Sequence, residues 1–220
     1  MNTAMLPRAL ALGAGLSAAV GAQAEVVTYT ADFGPARTNW TEVMTLPKWD
    51  GSLGTLQGVT LTLGGSVAGS ARFESTDAGP ATIDMTLSAE LAMKRPDNTS
   101  LVVALPLVNT TDNVTAFDGT IDFGGDSGRT HDNLSASDTQ SLTVLPADAD
   151  FALFLGAGNL SLDIKATGAS VGSGSGNLIV QFLTDASAHA EIEYRYIPVP
   201  TPGAFGLAAA AGLFVSRRRR

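Results

Sequence analysis

Apolar and polar residues alternate one for one along this chain, and no other feature constrains its fold as tightly. From Val59 to Phe73 the odd positions read Val59, Leu61, Leu63, Gly65, Val67, Gly69, Ala71 and Phe73. The even ones read Thr60, Thr62, Gly64, Ser66, Ala68, Ser70 and Arg72. Successive side chains of a strand point to opposite faces, so this pattern sets one face on a core and the other in water. After the turn-like Ser75-Thr76-Asp77-Ala78-Gly79-Pro80 the alternation resumes. Ile83, Met85, Leu87, Ala89, Leu91 and Met93 face one way, and Asp84, Thr86, Ser88, Glu90 and Lys94 the other. The two runs read as a long hairpin.

The pattern returns from Leu160 to Thr167 and from Ala186 to Tyr196. Val26–Thr30, Leu101–Val108, Ser135–Leu145 and Leu178–Leu183 are further strand candidates. Between 25 and 198 no stretch has a 3.6-residue period. A single helical turn fits Asp148–Leu155, which follows a proline and opens on aspartates. Gly64, Gly65 and Gly69 mark bends or bulges in the first long run. These signals predict an all-β fold, an antiparallel β-sandwich of jelly-roll or Ig-like type, with a closed barrel as the alternative. An outer-membrane barrel fits poorly. Its lipid face needs large apolar residues and aromatic girdles, whereas aromatics are 6% here and many apolar positions are Ala or Gly.

The two ends have a different grammar. Arg8, the apolar run Ala9–Val20 and the small-x-small triplet Ala22-Gln23-Ala24 form a secretory signal over residues 1–24, with cleavage after Ala24. At the other end a proline-rich linker covers 198–203, a short apolar helix 204–216, and an arginine cluster 217–220. The prolines end any ladder or helix. The apolar run has 13 residues, roughly 20 Å as a helix against a hydrocarbon core of about 30 Å. It suits transient membrane association, with the arginines on the cytoplasmic side.

This tripartite tail, paired with a signal peptide, resembles a PEP-CTERM-type sorting signal. In that family an exosortase-like membrane protease recognises a Val-Pro-Glu-Pro motif and removes the tail. Val199, Pro200 and Pro202 match the motif, and Thr201 departs from it where the family has Glu. An uncleaved membrane anchor is the alternative. The middle, residues 25–197, resembles a choice-of-anchor E domain. The likeness rests on Trp49-Asp50-Gly51-Ser52-Leu53-Gly54-Thr55-Leu56, Asp122-Phe123-Gly124-Gly125-Asp126-Ser127-Gly128, Phe154-Leu155-Gly156-Ala157-Gly158 and Tyr194-Arg195-Tyr196. That resemblance implies a bacterial surface or secreted domain and specifies neither ligand nor reaction.

Charge narrows the partners. The ends take five of the 13 basic residues, and all 21 acidic residues lie between Glu25 and Glu193, so the central domain carries a net charge of −13. Nucleic acid is excluded as a partner, because phosphate contacts need clustered Lys and Arg. With no cysteine, disulfides, thiolate metal sites and thiol catalysis are excluded too.

Three kinds of site remain to weigh. A Ser-His-carboxylate triad would have to use His131, in a polar loop, or His189, on the solvated face of the last strand. No nucleophile elbow accompanies either, so the chain reads as non-enzymatic. Asp118, Asp122 and Asp126 crowd one glycine-rich loop and are the candidate ligands for calcium, which takes six to eight oxygens. Solvated Asp and Gly in turns is the plainer reading. Trp40 and Trp49 flank a polar loop and are the candidate stacking platform for a sugar, which would make the chain a carbohydrate-binding module of an exopolysaccharide matrix. Six Asn-x-Ser/Thr sites, among them Asn109 and Asn113, read as sheet and turn composition. The leading expectation is a non-enzymatic exported protein of the cell surface or extracellular matrix, processed by an exosortase-like protease.

Overall fold

A computed structural model describes residues 23–199. Ala22, Pro200, Thr201 and Pro202, with the other residues of 1–22 and 200–220 where the signal and tail are expected, lie outside the described residues. The described chain is all-β, with ten strands and one turn of 3-10 helix. The strands are β1 (Glu25–Arg37), β2 (Trp40–Pro47), β3 (Gly54–Ser75), β4 (Ala81–Lys94), β5 (Ser100–Ala104), β6 (Leu107–Val114), β7 (Gly128–Val144), β8 (Asn159–Gly168), β9 (Val171–Ser173) and β10 (Leu178–Pro198). The 3-10 turn, Ala149–Phe154, falls where the aspartates after Pro146 place it.

All strand pairs are antiparallel. One sheet has the order β1-β10-β3-β7. In the other, β4 runs the full length, flanked by β8 then β9 on one side and by β5 then β6 on the other, with β2 outside β8. The two sheets pack face to face, because each strand turns its apolar parity inward. Leu61, Leu63, Phe73, Ile83, Leu87, Leu91, Met93 and Ile192 are all fully buried. Each such side chain contributes about 1.5–3 kcal/mol relative to exposure.

The long hairpin expected from β3 and β4 does not form. β3 pairs with β10 and β7, and β4 with strands of the opposite sheet. The segment 76–80 is therefore an arch between sheets, and the two alternating runs face each other across the core. Alternation fixes which face a strand buries and is silent on its neighbour. The candidates 178–183 and 186–196 are one continuous strand, β10, and 101–108 is two strands broken at Leu105-Pro106.

The sandwich has a base and a tip. At the base both sheets are four strands wide, and 24 buried residues form one core with Trp49, Phe154 and Tyr194 in it. At the tip only β10, β3 and β7 face β9, β4 and β6, and the core shrinks to Ala71, Phe73, Ile83, Met85 and Val114. Between them the strands break at one level. β3 bulges at Gly69, where a Cβ would strike the Leu183 carbonyl. Here Thr38 N–H donates to the Thr184 carbonyl at 3.0 Å as the chain leaves β1 for β2. Ala169 and Ser170 interrupt the β8–β9 edge, and Ser170 Oγ lies 3.1 Å from Thr184 Oγ1 and 3.0 Å from Ser88 N. Hydroxyls thus form the waist between the two cores.

Candidate functional site

Both ends of the folded body leave from the base. Glu25, the first residue of β1, sits opposite Tyr196 of β10, and Tyr196 Oη donates to the Glu25 carboxylate at 2.9 Å. Ala24 is exposed directly before β1. Pro198, the last rung of β10, pairs with Gly54, and Val199 N–H donates to the Leu53 carbonyl at 3.3 Å while 58% of its surface stays exposed. The ladder therefore ends one residue short of the expected sorting motif.

At the tip, residues 115–127 fold over the outer face of β3 and bury Glu74 completely. Its carboxylate accepts Ser127 Oγ–H at 2.6 Å and Phe123 N–H at 2.8 Å. Arg72 stacks over the Phe123 ring at 4.4 Å. The aspartates of this loop mostly bond the loop itself. Asp118 accepts Thr120 N–H at 3.0 Å and Asp126 N–H at 3.3 Å, and Asp122 accepts Gly124 N–H at 2.9 Å. The Thr120 bond, foremost, holds the Asp118 carboxyl below the ordinary range. Among the described residues no group of three or more His, Cys, Asp or Glu side chains is placed to hold a metal. Asp118, Asp122 and Asp126 are not gathered as a metal-holding group, and the Asp118 and Asp122 carboxylates turn back onto backbone amides of the loop.

The two tryptophans differ in exposure, and Trp49 offers no stacking platform to solvent. Trp49 is 4% exposed and packs between Tyr194 and Tyr196, at centroid distances of 5.6 and 4.7 Å. Trp40 is half-buried, its ring edge-on to Phe33 at 4.7 Å and its Nε1 buried without a partner. The tyrosines of the closing Tyr194-Arg195-Tyr196 bind these parts together. Tyr194 Oη donates to the Pro47 carbonyl at 2.8 Å, and burial pushes its hydroxyl to titrate far above the ordinary range.

His131 is not in a loop. It lies in β7, and its Nε2 meets Asp112 of β6 at 2.7 Å, joining the two sheets along one edge. His189 is on the exposed outer face of β10, as its parity requires, with Nδ1 2.6 Å from Asp32 Oδ1.

No family model matches this chain, and no curated protein does. Solved structures resemble it only distantly. A chain of the T13 IBDV viral particle is 15% identical, with 89% of this chain and 47% of that chain covered, at a TM-score of 0.23. The infectious bursal disease virus VP2 subviral particle is 15% identical over 91% of this chain and 51% of that one, at 0.22. The chain spans about half the length of the viral chains it matches.

Two groups that organise the tip are invisible in the alternation. Glu74 occupies a polar parity position and reads as solvated, yet a loop some fifty residues later covers it. Asp77 sits in the arch and accepts Gly176 N–H at 2.7 Å, Asn177 N–H at 3.0 Å and Asn177 Nδ2–H at 2.8 Å. An Asp followed two residues later by Gly is the turn signature that would have drawn attention to Asp77. Glu74 has no such local mark.

Proposed function

We propose that this chain is a non-enzymatic, exported bacterial β-sandwich protein of the cell surface or extracellular matrix. The residues before Glu25 act as a secretory signal. The segment from Val199 through Pro202 presents the chain to an exosortase-like protease while the apolar stretch 204–216 associates with the inner membrane. The resemblance to a choice-of-anchor E domain with a PEP-CTERM-type tail supports this reading.

The observation that carries it is the pairing of Glu25 with Tyr196. The pairing supports the reading because Glu25 and Tyr196 are neighbours on β1 and β10, so the described chain begins and ends at one pole, and a body held at the membrane by either end keeps the other end near it. The ladder stops at Pro198 and Val199 is exposed, which supports a protease reaching the chain from Val199.

Intact-mass and terminal-peptide mass spectrometry of the protein from its native host tests the proposal. The expected chain begins at Glu25 and ends between Val199 and Pro202. A chain that still ends at Arg220 overturns processing and leaves a plain anchor.

A further inference from the structure

The outer face of the β1-β10-β3-β7 sheet carries two cavities, of about 380 and 640 Å³, that lie end to end along β3. The first is floored by Gly64 and Ser66 and the second by Ala68 and Ser70. From Gly64 to Ser70 the trough runs roughly 20 Å at the rise of a strand. β10 forms one wall, with His189, Ser187 and Asp185, and β7 the other, with Thr139, Ser137 and Ser135; register places these residues side by side across β3. Pro35 and Arg37 of β1 close the β10 side.

The lining decides what such a trough accepts. Ser66, Ser70, Ser135, Ser137 and Thr139 offer hydroxyls, interleaved with apolar surface from Pro35, Ala68 and Leu183, so an occupant must present hydrogen-bonding groups and C–H faces together along its length. Asp32 holds His189 through Nδ1 at 2.6 Å, and both residues line the first cavity. The ionised groups are Asp32, Asp132 and Asp185 against the single cation Arg37, which is already 3.2 Å from Asp185. The surrounding domain adds to a net charge of −13. Such a field repels polyanions and favours positive charge.

We propose that this trough binds an extended polyhydroxylated chain bearing ammonium groups, an amino-sugar polymer, with Gly64 keeping the groove open between His189 and Thr139. The claim goes beyond the proposed export route and does not need the tail to be processed, so failure of one leaves the other standing.

Gly64 supplies a clean test. A Cβ there would lie 3.6 Å from His189 Cβ and 3.7 Å from Thr139 Oγ1, ordinary contacts, so the backbone accepts a side chain at this position and Gly64→Val adds bulk to the groove floor, with Tm reporting any strain. Valine also suits a strand better than glycine does. The purified full chain is titrated calorimetrically with a glucosamine hexamer, with cellohexaose and with a galacturonate hexamer, and Tm is recorded for every variant. The glucosamine hexamer is expected to bind, more tightly than cellohexaose, and the galacturonate hexamer to bind least. Gly64→Val, with Tm unchanged or raised, is expected to weaken binding by about tenfold or more, and Asp132→Asn to weaken the glucosamine hexamer alone by roughly threefold. Absence of binding by the glucosamine hexamer at millimolar concentration overturns the proposal. So does equal binding of the galacturonate hexamer, or undiminished binding by Gly64→Val.

Discussion

The base and the tip of this sandwich are built from the same strands and held by different forces. The base encloses 24 buried residues in one core, including Trp49, Phe154 and Tyr194; the tip encloses five. What the tip lacks in apolar area it replaces with two carboxylates that gather backbone amides, Glu74 under the loop 115–127 and Asp77 at the turn before β10. Apolar packing is non-directional and tolerates exchange of similar shapes. A carboxylate hub is directional, and removing one that is fully buried, as Glu74 is, strands donors that have no water to turn to. The waist of Ser88, Ser170 and Thr184 separates the two cores, so damage to one half is read separately from damage to the other.

The largest expected effect is at the base. Leu91 is fully buried, and one of its methyls would come within 2.9 Å of a Cβ placed on Gly65 of the facing sheet. Leu91→Ala removes packing on both sides of the sandwich and is expected to cost about 2–5 kcal/mol. Chemical denaturation should show the loss as a lower midpoint for the whole molecule. A change of under about 1 kcal/mol would mean that the base is not the stabilising half.

Glu74→Ala comes next and should break the tip alone. Ser127 Oγ–H and Phe123 N–H lose their acceptor, at about 1–3 kcal/mol for each donor left unpaired. Hydrogen exchange should quicken across residues 115–130 and stay slow in β2 and β8. Glu74→Gln keeps an acceptor for Phe123 N–H, and the Ser127 hydroxyl can rotate to receive from the amide, so its loss should be the smaller of the two. Equal losses for the two variants would show that the hub needs the carboxylate charge, and exchange quickened as much at the base would show that the halves unfold as one.

How much of this was legible in the sequence follows the same division. At the base the inward faces are apolar, and the alternation assigns Leu61, Leu91, Ile164 and Ile192 to the core correctly. At the tip the inward positions of β6 and β7 include Thr110, Asp112 and His131, and a strand whose buried side is polar has no period-two signature in hydrophobicity. For that reason the alternation does not reveal β6 beyond Val108, the first residues of β7, which hold His131, or the short β9; at the base it also misses β2, whose inward side carries the exposed Glu42 between Trp40 and Met44. Partners were hidden for a separate reason. Which strand lies beside β3 depends on contacts more than a hundred residues apart, such as Gln181 with Arg72 at 2.6 Å, and local pattern carries no information about them. The candidate site divides likewise. Trp49 and Trp40 looked available because they flank polar residues, but Tyr194 and Tyr196 from the far end of the chain cover one and Phe33 covers much of the other.

The smallest predicted effect, at Asp77, separates charge from shape within the tip. Bonds from Gly176 N–H, first, and from the Asn177 side chain hold its carboxyl below the ordinary range. A carboxyl whose value is lowered by folding binds its proton less readily in the native state than in the unfolded one. Its stabilisation is therefore complete above the unfolded value of about 3.9 and is lost as pH falls through the lower, folded value. Asp77→Asn cannot ionise, yet its amide oxygen still accepts one of the turn's N–H groups. The Tm gap between the protein and this variant should be constant from pH 5 to 7, as the unfolded value of about 3.9 requires, and should close as pH falls further. The gap should also be smaller than that for Glu74→Ala, because Asp77 is reached by water on its outer side and the stranded amides can be solvated. A gap that persists unchanged through acid would assign Asp77 a role of shape alone. The carboxylate hubs of the tip would then reduce to Glu74.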